Sequence, residues 1–342
     1  MIDLRSDTVT VPTPGMLETM FQAKVGDDVF SEDTTVNQLQ NIIAQMFGME
    51  SALFCPSGTM TNQIAIKVHT QPGDEVICDK LSHIYNYEGG GIAFNSSASV
   101  RLLNGINGTF TADMVEENIN PDNIHHPATK LVAVENTVNK GGGSIYQFSE
   151  LEKISTICKK YNLKFHLDGA RLFNALAETG DSTIEYGRIF DTISICLSKG
   201  LGAPVGSLLL GNKQTIDKAR RIRKVLGGAM RQAGYLAAAG IYALQNNVSR
   251  LKTDNDNARK IATQLAEINY IESILPVETN IIIFKINHKI TELEFAKKCA
   301  EQNILVSTFG KQTIRLVTHL QFSNSDISDL IRGFKNISFN YK

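Results

Sequence analysis

Two charged residues come directly after apolar, β-branched segments, at the points where strands are predicted to end. Asp168 follows the segment Leu163–Leu167, and Lys199 closely follows the segment Thr192–Leu197. In open α/β sheets, ligands bind at the carboxyl edge of the strands. A lysine that follows a buried strand is partly desolvated, which favours the neutral amine that forms a Schiff base with an aldehyde. An acid at this edge pairs with a pyridine nitrogen; the alternative is a surface salt bridge between Lys199 and Asp168.

A turn after another apolar strand predicts an anion site at the same edge. The sequence Pro56-Ser57-Gly58-Thr59 follows the strand and opens a helical pattern. The backbone N–H groups of Gly58 and Thr59 would then face an anion, and phosphate fits there. The alternative is that Ser57 or Thr59 only caps the helix.

Two histidines are candidates for proton transfer. His83 follows a predicted strand and therefore reaches the same edge, where an imidazole either stacks on a planar cofactor or moves a proton. The alternative is an ordinary hydrogen-bonded loop histidine. His125 belongs to the polar segment Asn118–Thr129, which is typical of an exposed loop with a functional role. Since His125 and His126 lack a further ligand at metal-site spacing, no metal site is predicted.

Two further motifs have alternative readings. Gly200, Gly202 and Gly206 resemble a dinucleotide-binding fingerprint. Such a fingerprint must lie at the start of a helix, and Pro204 with the apolar run that follows argues against a helix here. We therefore discount a nicotinamide enzyme. The basic run Arg220–Lys224 is typical of a solvated helix face. Lys224 and Arg231 nevertheless flank a Gly-Gly turn, where positive charges can serve a phosphate or a carboxylate.

Composition restricts the class of protein. The 342 residues are 42% hydrophobic and 20% charged, which is typical of a globular protein and excludes a disordered chain. The chain has 34 Lys and Arg residues and 35 Asp and Glu residues, which gives a net charge of -1. Neither nucleic acid nor an anionic membrane is therefore an expected partner. The five cysteines lie mostly in apolar runs, and the N-terminal residues lack a signal-peptide pattern, so a cytoplasmic location is expected.

The elements that must position these residues form two predicted domains. Seven short strands alternate with amphipathic helices, which indicates a mostly parallel sheet covered by helices on both faces. This large domain is predicted over residues 1–245, with an N-terminal arm at 1–14. A long polar helix, predicted over 246–269, would open a smaller α/β domain over 246–342.

Seven motifs run along nearly the whole chain: Leu4–Thr10, Val25–Val29, Ser57–Met60, Ser82–Tyr85, His166–Leu172, Leu197–Gly202 and Arg315–His319. In their order and spacing, the chain resembles the low-specificity L-threonine aldolases. These are pyridoxal-phosphate enzymes of the aspartate-aminotransferase-like fold (fold type I). The resemblance implies cleavage of L-threonine or L-allo-threonine to glycine and acetaldehyde by a homotetramer whose active sites lie between paired subunits.

The resemblance also implies roles for individual residues. Lys199 would carry the cofactor covalently, Asp168 would keep its pyridine nitrogen protonated and His83 would stack on its ring. The remaining roles concern anions: Gly58 and Thr59 would bind the cofactor phosphate, with Lys224 and Arg231 reaching it across a subunit boundary, and Ser6, Arg171 and Arg315 would hold the substrate carboxylate.

Several questions stay open at this stage. The general base is either His83, which we favour, or His125, which acts directly or through a water molecule. The family commonly has Tyr where Phe30 stands and His where Val138 stands, so a hydroxyl and an imidazole near the site are expected to be missing. Another pyridoxal-phosphate reaction on the same scaffold, or cofactor binding without turnover, are the alternatives.

Overall fold

A seven-stranded sheet forms the centre of the protein in the computed structural model, which describes residues 1–338. Its strands lie in the order β2-β8-β7-β6-β5-β3-β4, and β8 alone runs antiparallel to its neighbours. The sheet strands are β2 (Ser51–Cys55), β3 (Glu75–Asp79), β4 (Ser99–Leu103), β5 (Thr129–Glu135), β6 (Lys164–Gly169), β7 (Thr192–Cys196) and β8 (Ser207–Gly211). Six carboxyl ends therefore meet at one edge.

Helices cover this sheet and link its strands, as crossover connections between parallel strands require. Those of the sheet unit are α1 (Pro14–Phe21), α2 (Thr34–Phe47), α3 (Gly58–His69), α4 (His83–Asn86), α5 (Gly91–Ser96), α6 (Ala112–Glu117), α7 (Phe148–Lys160), α8 (Leu172–Thr179), α9 (Thr183–Ile189), α10 (Lys213–Val225) and α11 (Gly234–Asn246). The sheet strands β3, β7 and β8 are buried along their whole length, so they read as continuous apolar runs.

A smaller unit follows, with a separate hydrophobic core. Its elements are α12 (Leu251–Leu265), β9 (Ile271–Ile274), β10 (Ile281–Ile286), α13 (Glu292–Glu301), β11 (Ile304–Leu305), β12 (Ser307–Gly310), β13 (Thr313–Val317) and α14 (Asp326–Asn336). Four of the strands form an antiparallel sheet in the order β12-β13-β10-β9. Among residues 1–338, no helix is both long and apolar enough to cross a membrane.

The first residues of the chain connect the two units. Strand β1 (Ile2–Asp3) pairs in parallel with β11, and the fully buried side chain of Leu4 belongs to the core of the small unit. Asp7 instead contacts the large unit through Arg171. The segment predicted as an arm of the large domain thus spans the space between the units.

The sequence predicted the strands of the large sheet correctly, and all seven are confirmed. The long helix predicted over 246–269 is confirmed over a shorter range, because α11 ends at Asn246 and α12 runs from Leu251 to Leu265. Between them, the side-chain amide of Asn247 donates to the backbone carbonyl of Leu201 at 2.7 Å and fixes the turn. The predicted domain boundary after residue 245 falls in the last turn of α11.

Candidate active site

A cleft of about 450 Å³ lies at the carboxyl edge of the large sheet, facing the small unit. Its walls come from segments that are distant in sequence: the N-terminal segment, the loops after β3, β5, β6 and β7, and strands β12 and β13. The residues that line it are Ser6, Thr8, His83, Tyr87, Asn139, Arg171, Lys199, Ser307, Thr308, Phe309 and Arg315. Five of the residues predicted from the sequence therefore lie together: Ser6, His83, Arg171, Lys199 and Arg315.

Lys199 lies in the turn after β7, where its backbone carbonyl accepts a hydrogen bond of 3.0 Å from the Thr10 hydroxyl. Within the described residues, its side-chain amine has no hydrogen-bond or ion-pair partner. The amine is half-buried and is thus held in the cleft without a carboxylate to neutralise it. That arrangement suits an amine that must react with a carbonyl compound.

Asp168 occupies the end of the neighbouring strand β6 and is 3% exposed. Its Oδ2 atom accepts a hydrogen bond of 2.9 Å from the Asn62 amide, and its Oδ1 atom accepts one of 3.2 Å from the Ala170 backbone. Ligand-type atoms of Asp168, His83 and Glu88 lie within 4.8 Å of one another. The sequence-predicted acid and histidine therefore meet.

His83 begins α4 and is held by two glutamates. Its backbone N–H donates to Glu135 Oε2 at 2.7 Å, and its ring Nδ1 lies 3.0 Å from Glu88 Oε1. Burial lowers the pKa of the imidazole, but the hydrogen bond to Glu88 and the charges of Asp168, Glu88 and Glu135 outweigh it, so the pKa lies above its ordinary value. Because a carboxylate only accepts hydrogen bonds, Nδ1 carries a proton and leaves Nε2 as the basic atom.

Glu135 ends β5 directly beside Asp168, its register partner on β6. Its second oxygen, Oε1, accepts a hydrogen bond of 2.9 Å from the Asn139 backbone. Burial and the Asp168 charge raise the pKa of Glu135 to about 7, although the two backbone donors oppose this shift. This carboxyl therefore joins the loop of His83 to the loop of Asn139.

Two guanidinium groups create a site for an anion. Arg171 makes a bidentate contact with Asp7, with both distances at 2.7 Å, and both side chains are buried. Arg315 donates to Asn139 Oδ1 at 2.8 Å and has no carboxylate partner among the described residues. Burial and the positive charge of Arg171 lower the pKa of Arg315 to about 10. A carboxylate bound between them would relieve this repulsion.

The turn before α3 fits a phosphate group. Ser57 caps the helix by accepting a hydrogen bond from the Met60 backbone, as the capping alternative predicted. The N–H groups of Gly58 and Thr59 nevertheless have no partner within the described residues. A Cβ atom on Gly58 would lie 2.6 Å from Cys196 Sγ, so only glycine lets the backbone sit this close to β7. With Lys199 and Asp168, these groups fit pyridoxal phosphate.

Some predicted residues lie elsewhere in the chain's own structure. His125 is exposed in the loop that precedes β5, so it lies at the opposite edge of the sheet, roughly 20 Å from the strand's carboxyl end. It does not reach the cleft of its own subunit. Lys224 and Arg231 are also exposed outside this cleft, and Arg231 pairs with Asp27 at 2.8 Å.

The two positions that depart from the family pattern also lie outside this cleft. The side chain of Val138 is fully buried in the core, and a Cβ atom on Gly108 would lie 2.5 Å from its Cγ1 atom. Phe30 is 70% exposed. Neither side chain is among the residues that line the cleft.

The sequence analysis missed several residues that shape the site. Asp7 lies within the motif Leu4–Thr10, and Glu135 ends a predicted strand, so a signal for both was present. No sequence signal pointed to Asn62 or Glu88, because an amide inside a helix and an acid in a loop are common. Only tertiary contacts bring these two residues to Asp168.

The chain is similar to known proteins over nearly its whole length. The profile of the beta-eliminating lyase family matches residues 3–289. The low specificity L-threonine aldolase of Escherichia coli (strain K12) is 42% identical over 331 residues, covering 96% of this chain and 97% of the relative. The probable low-specificity L-threonine aldolase 2 of Arabidopsis thaliana is 40% identical over 343 residues, covering 98% and 97%.

A solved structure confirms the fold predicted from the resemblance. The threonine aldolase of Leishmania major superposes with a TM-score of 0.84 at 22% identity, covering 98% of this chain and 99% of that protein. At this identity, the likeness concerns the fold alone. It agrees with the mostly parallel seven-stranded sheet described above.

Replacing Asp7 tests the buried ion pair. Asp7→Asn leaves the buried guanidinium of Arg171 without a counter-charge, so the free energy of unfolding should fall by about 3–5 kcal/mol. Asp3→Asn is the matched control, because Asp3 pairs with Arg5, whose side chain is 53% exposed. We expect that control to lose less than about 1 kcal/mol. Urea unfolding of the cofactor-free protein at fixed concentration measures both; equal losses would contradict the pair's importance.

Proposed function

Because the chain belongs to the beta-eliminating lyase family and, within it, to the low-specificity L-threonine aldolases, we propose that it is a pyridoxal-phosphate-dependent aldehyde-lyase. Its reaction is the retro-aldol cleavage of L-threonine or L-allo-threonine to glycine and acetaldehyde, with other β-hydroxy-L-amino acids as further substrates. One observation supports this most: an unpaired lysine, two arginines and a histidine face a single cleft directly beside the buried Asp168.

The cofactor would be held at four places. Lys199 would provide its side-chain amine for the covalent link, and the N–H groups of Gly58 and Thr59, which have no partner among the described residues, would bind the phosphate. Asp168 would keep the pyridine nitrogen protonated, and the ring of His83 would stack on the cofactor. When bound, pyridoxal phosphate supplies an electron sink for the electron pair released as the Cα–Cβ bond breaks.

The chain's own residues bind and orient the amino acid. Arg315 and the remaining Nη1 donor of Arg171 hold its carboxylate, and the hydroxyl of Ser6 lies in the same wall. Fixing the carboxylate selects which bond at Cα stands perpendicular to the cofactor plane and therefore breaks. His83 accepts the proton of the β-hydroxyl at Nε2, since Nδ1 is committed to Glu88.

The proposed reaction also suggests a place in metabolism. It consumes threonine and yields glycine, so it serves threonine catabolism and glycine biosynthesis. All five cysteines are free and buried within the described chain, which suits a reducing compartment such as the cytoplasm.

The reaction itself is tested by its products. Wild-type protein saturated with pyridoxal phosphate should release both glycine and acetaldehyde from L-threonine and from L-allo-threonine, and the two rates rank the diastereomers. Lys199→Ala should abolish both products, because the amine is lost. Lys213→Ala, at a side chain that is 75% exposed, is the control and should keep full turnover. 2-Oxobutanoate with ammonia, a D-amino acid or amino-group transfer in place of aldehyde would point to elimination, racemisation or transamination.

The assignment of the base is tested by pH. His83 must be neutral to accept a proton, so kcat/KM should rise with pH through a midpoint above the ordinary histidine value, in line with the raised pKa. Glu88→Gln removes the negative charge that favours the imidazolium and should move this midpoint to lower pH. The limb should vanish in His83→Asn and persist in His125→Asn. The reverse result would assign the role to His125, acting from another subunit.

We also propose a homotetramer of paired subunits, in which Lys224 and Arg231 reach the cofactor phosphate of the partner. Their exposure outside their own cleft supports this arrangement, as does the exposed apolar surface at Phe30 and Val225 beside them. Light scattering should report four chains.

Shared sites predict complementation between subunits. Lys199→Ala and the double variant Lys224→Ala/Arg231→Ala should each lose activity alone. In mixed dimers, the double variant keeps its own Lys199 and receives both basic residues from its partner, so one site is complete. Turnover should return after subunit mixing. A mixed oligomer that stays inactive would contradict shared sites.

A further inference from the structure

A chain of buried hydrogen bonds leads from the edge of the large unit to Asp168. Asn62, on α3, is 2% exposed and places its amide nitrogen 2.9 Å from both Asp168 Oδ2 and Glu88 Oε1. Its amide oxygen lies 3.1 Å from Nε2 of His166, which is fully buried. His166 and Asp168 are two residues apart on β6, so their side chains share one face of the sheet.

The chemistry of the partners fixes the direction of these bonds. Two carboxylates accept hydrogen bonds, so the nitrogen of Asn62 must face them and its oxygen must face His166. His166 Nε2 therefore carries a proton. Burial lowers the pKa of His166 to about 4, so the ring is neutral at pH 7 and its Nδ1 atom accepts. The Nδ1 atom lies 3.0 Å from the Thr192 hydroxyl and 3.2 Å from the Thr192 backbone carbonyl. With the ring proton on Nε2, where the Asn62 oxygen accepts it, the hydroxyl donates to Nδ1.

The outer end of the chain keeps the same direction. Nε2 of His69 lies 3.2 Å from the Thr192 hydroxyl oxygen. Because the hydroxyl proton is directed to His166, His69 donates here. Burial also lowers the pKa of His69 to about 4, so both histidines are neutral. The dipoles of His69, Thr192, His166 and Asn62 are therefore aligned, with their N–H or O–H ends pointing toward the carboxylates.

We propose that Asn62 and His166 are positioning residues for the reaction, which hold the Asp168 carboxylate in the orientation that meets the pyridine nitrogen. Neither residue lines the cleft, so both act through Asp168. The proposal rests on the proposed function in one respect: pyridoxal phosphate is the group that Asp168 meets.

The need for such a pair follows from charge. Asp168 and Glu88 are buried like charges that share Asn62 as a donor. A buried carboxylate needs hydrogen-bond donors to hold it in place. Without Asn62, Asp168 would keep only the Ala170 backbone donor among the described residues, so its Oδ2 atom would lose the contact that fixes the carboxylate toward the ring nitrogen. His166 is part of the proposal because its hydrogen bond to the Asn62 amide oxygen keeps the oxygen and nitrogen of that amide from exchanging places.

Asn62→Leu tests the inner bond, since it keeps the shape of the side chain and removes its donors. We expect pyridoxal phosphate to bind the cofactor-free protein about tenfold to hundredfold more weakly, as the loss of a hydrogen bond to a charged group implies. The ¹⁵N resonance of labelled cofactor should move toward the value of an unprotonated ring nitrogen.

Gln63→Met is the matched control: Gln63 is the next residue and donates to Glu88 at 2.6 Å without contacting Asp168. The ring nitrogen of the cofactor bound to Gln63→Met should stay protonated. If Asn62→Leu keeps wild-type affinity and a protonated ring nitrogen, the proposal is overturned.

Two substitutions at His166 separate positioning from simple packing. His166→Gln places an N–H group near the former Nε2 atom and should keep wild-type cofactor affinity and ring protonation. His166→Asn is too short to reach Asn62 and should shift both in the direction of Asn62→Leu. Equal effects of the two substitutions would show that His166 only fills space.

A measurement without cofactor examines the hydrogen-bond direction itself. In the cofactor-free protein labelled with [¹⁵N]histidine, His166 should give the Nε2–H tautomer at pH 7, assigned by the loss of its signals in His166→Gln. An Nδ1–H or doubly protonated ring would overturn the proposal. If these results hold but no aldehyde is formed from threonine, the proposed function is wrong and the positioning role of Asn62 and His166 is retained. If the wild-type protein did not bind pyridoxal phosphate, both would fall.

Discussion

The burial of several carboxylates at one sheet edge is the constraint on which the site depends. Asp168 and Glu135 end neighbouring strands side by side, and Glu88 lies within reach of both Asp168 and His83. Buried carboxylates are stable only when donors or positive charges compensate them. The surrounding residues therefore donate hydrogen bonds to these carboxylates in addition to any role toward a ligand. The backbone N–H groups of His83 and Asn139 donate to Glu135, and the side chain of Asn62 donates to Asp168.

Helix α3 shows how one element meets two such requirements. Its first residue, Gly58, brings free N–H groups to the sheet edge, and Asn62 follows one turn later on the same face. One rigid helix thus carries two of the groups proposed for the cofactor site, the N–H groups for a phosphate and the donor to Asp168. Any shift of α3 would move both ends of the site together, which ties the cofactor's position to the packing of this helix on β7 and β8.

The sequence predicts the parts of this site that follow a local rule. Asp168, Lys199 and His83 come directly after apolar strands, and parallel strands bring such positions to one edge, so their meeting was predictable. Asn62 and Glu88 act through contacts with residues far away in the chain, for which local sequence holds no rule. His125 illustrates the limit in the other direction: its loop looked functional, but it precedes a strand instead of following one, which places it at the far edge. The first residues of the helix predicted over 246–269 instead form a turn, in which Asn247 contacts the distant Leu201.

The N-terminal segment has a consequence for how the protein is made. Ile2 pairs with Ile304, so the first strand of the chain has no partner until about 300 further residues have been synthesised. At typical translation rates, this wait is on the order of 15 to 60 s. Leu4 stays exposed throughout, and Ser6 and Arg315 cannot yet face each other. The large sheet can form earlier on the ribosome, but the cleft closes only when β12 and β13 emerge, so the cleft is completed well after the sheet.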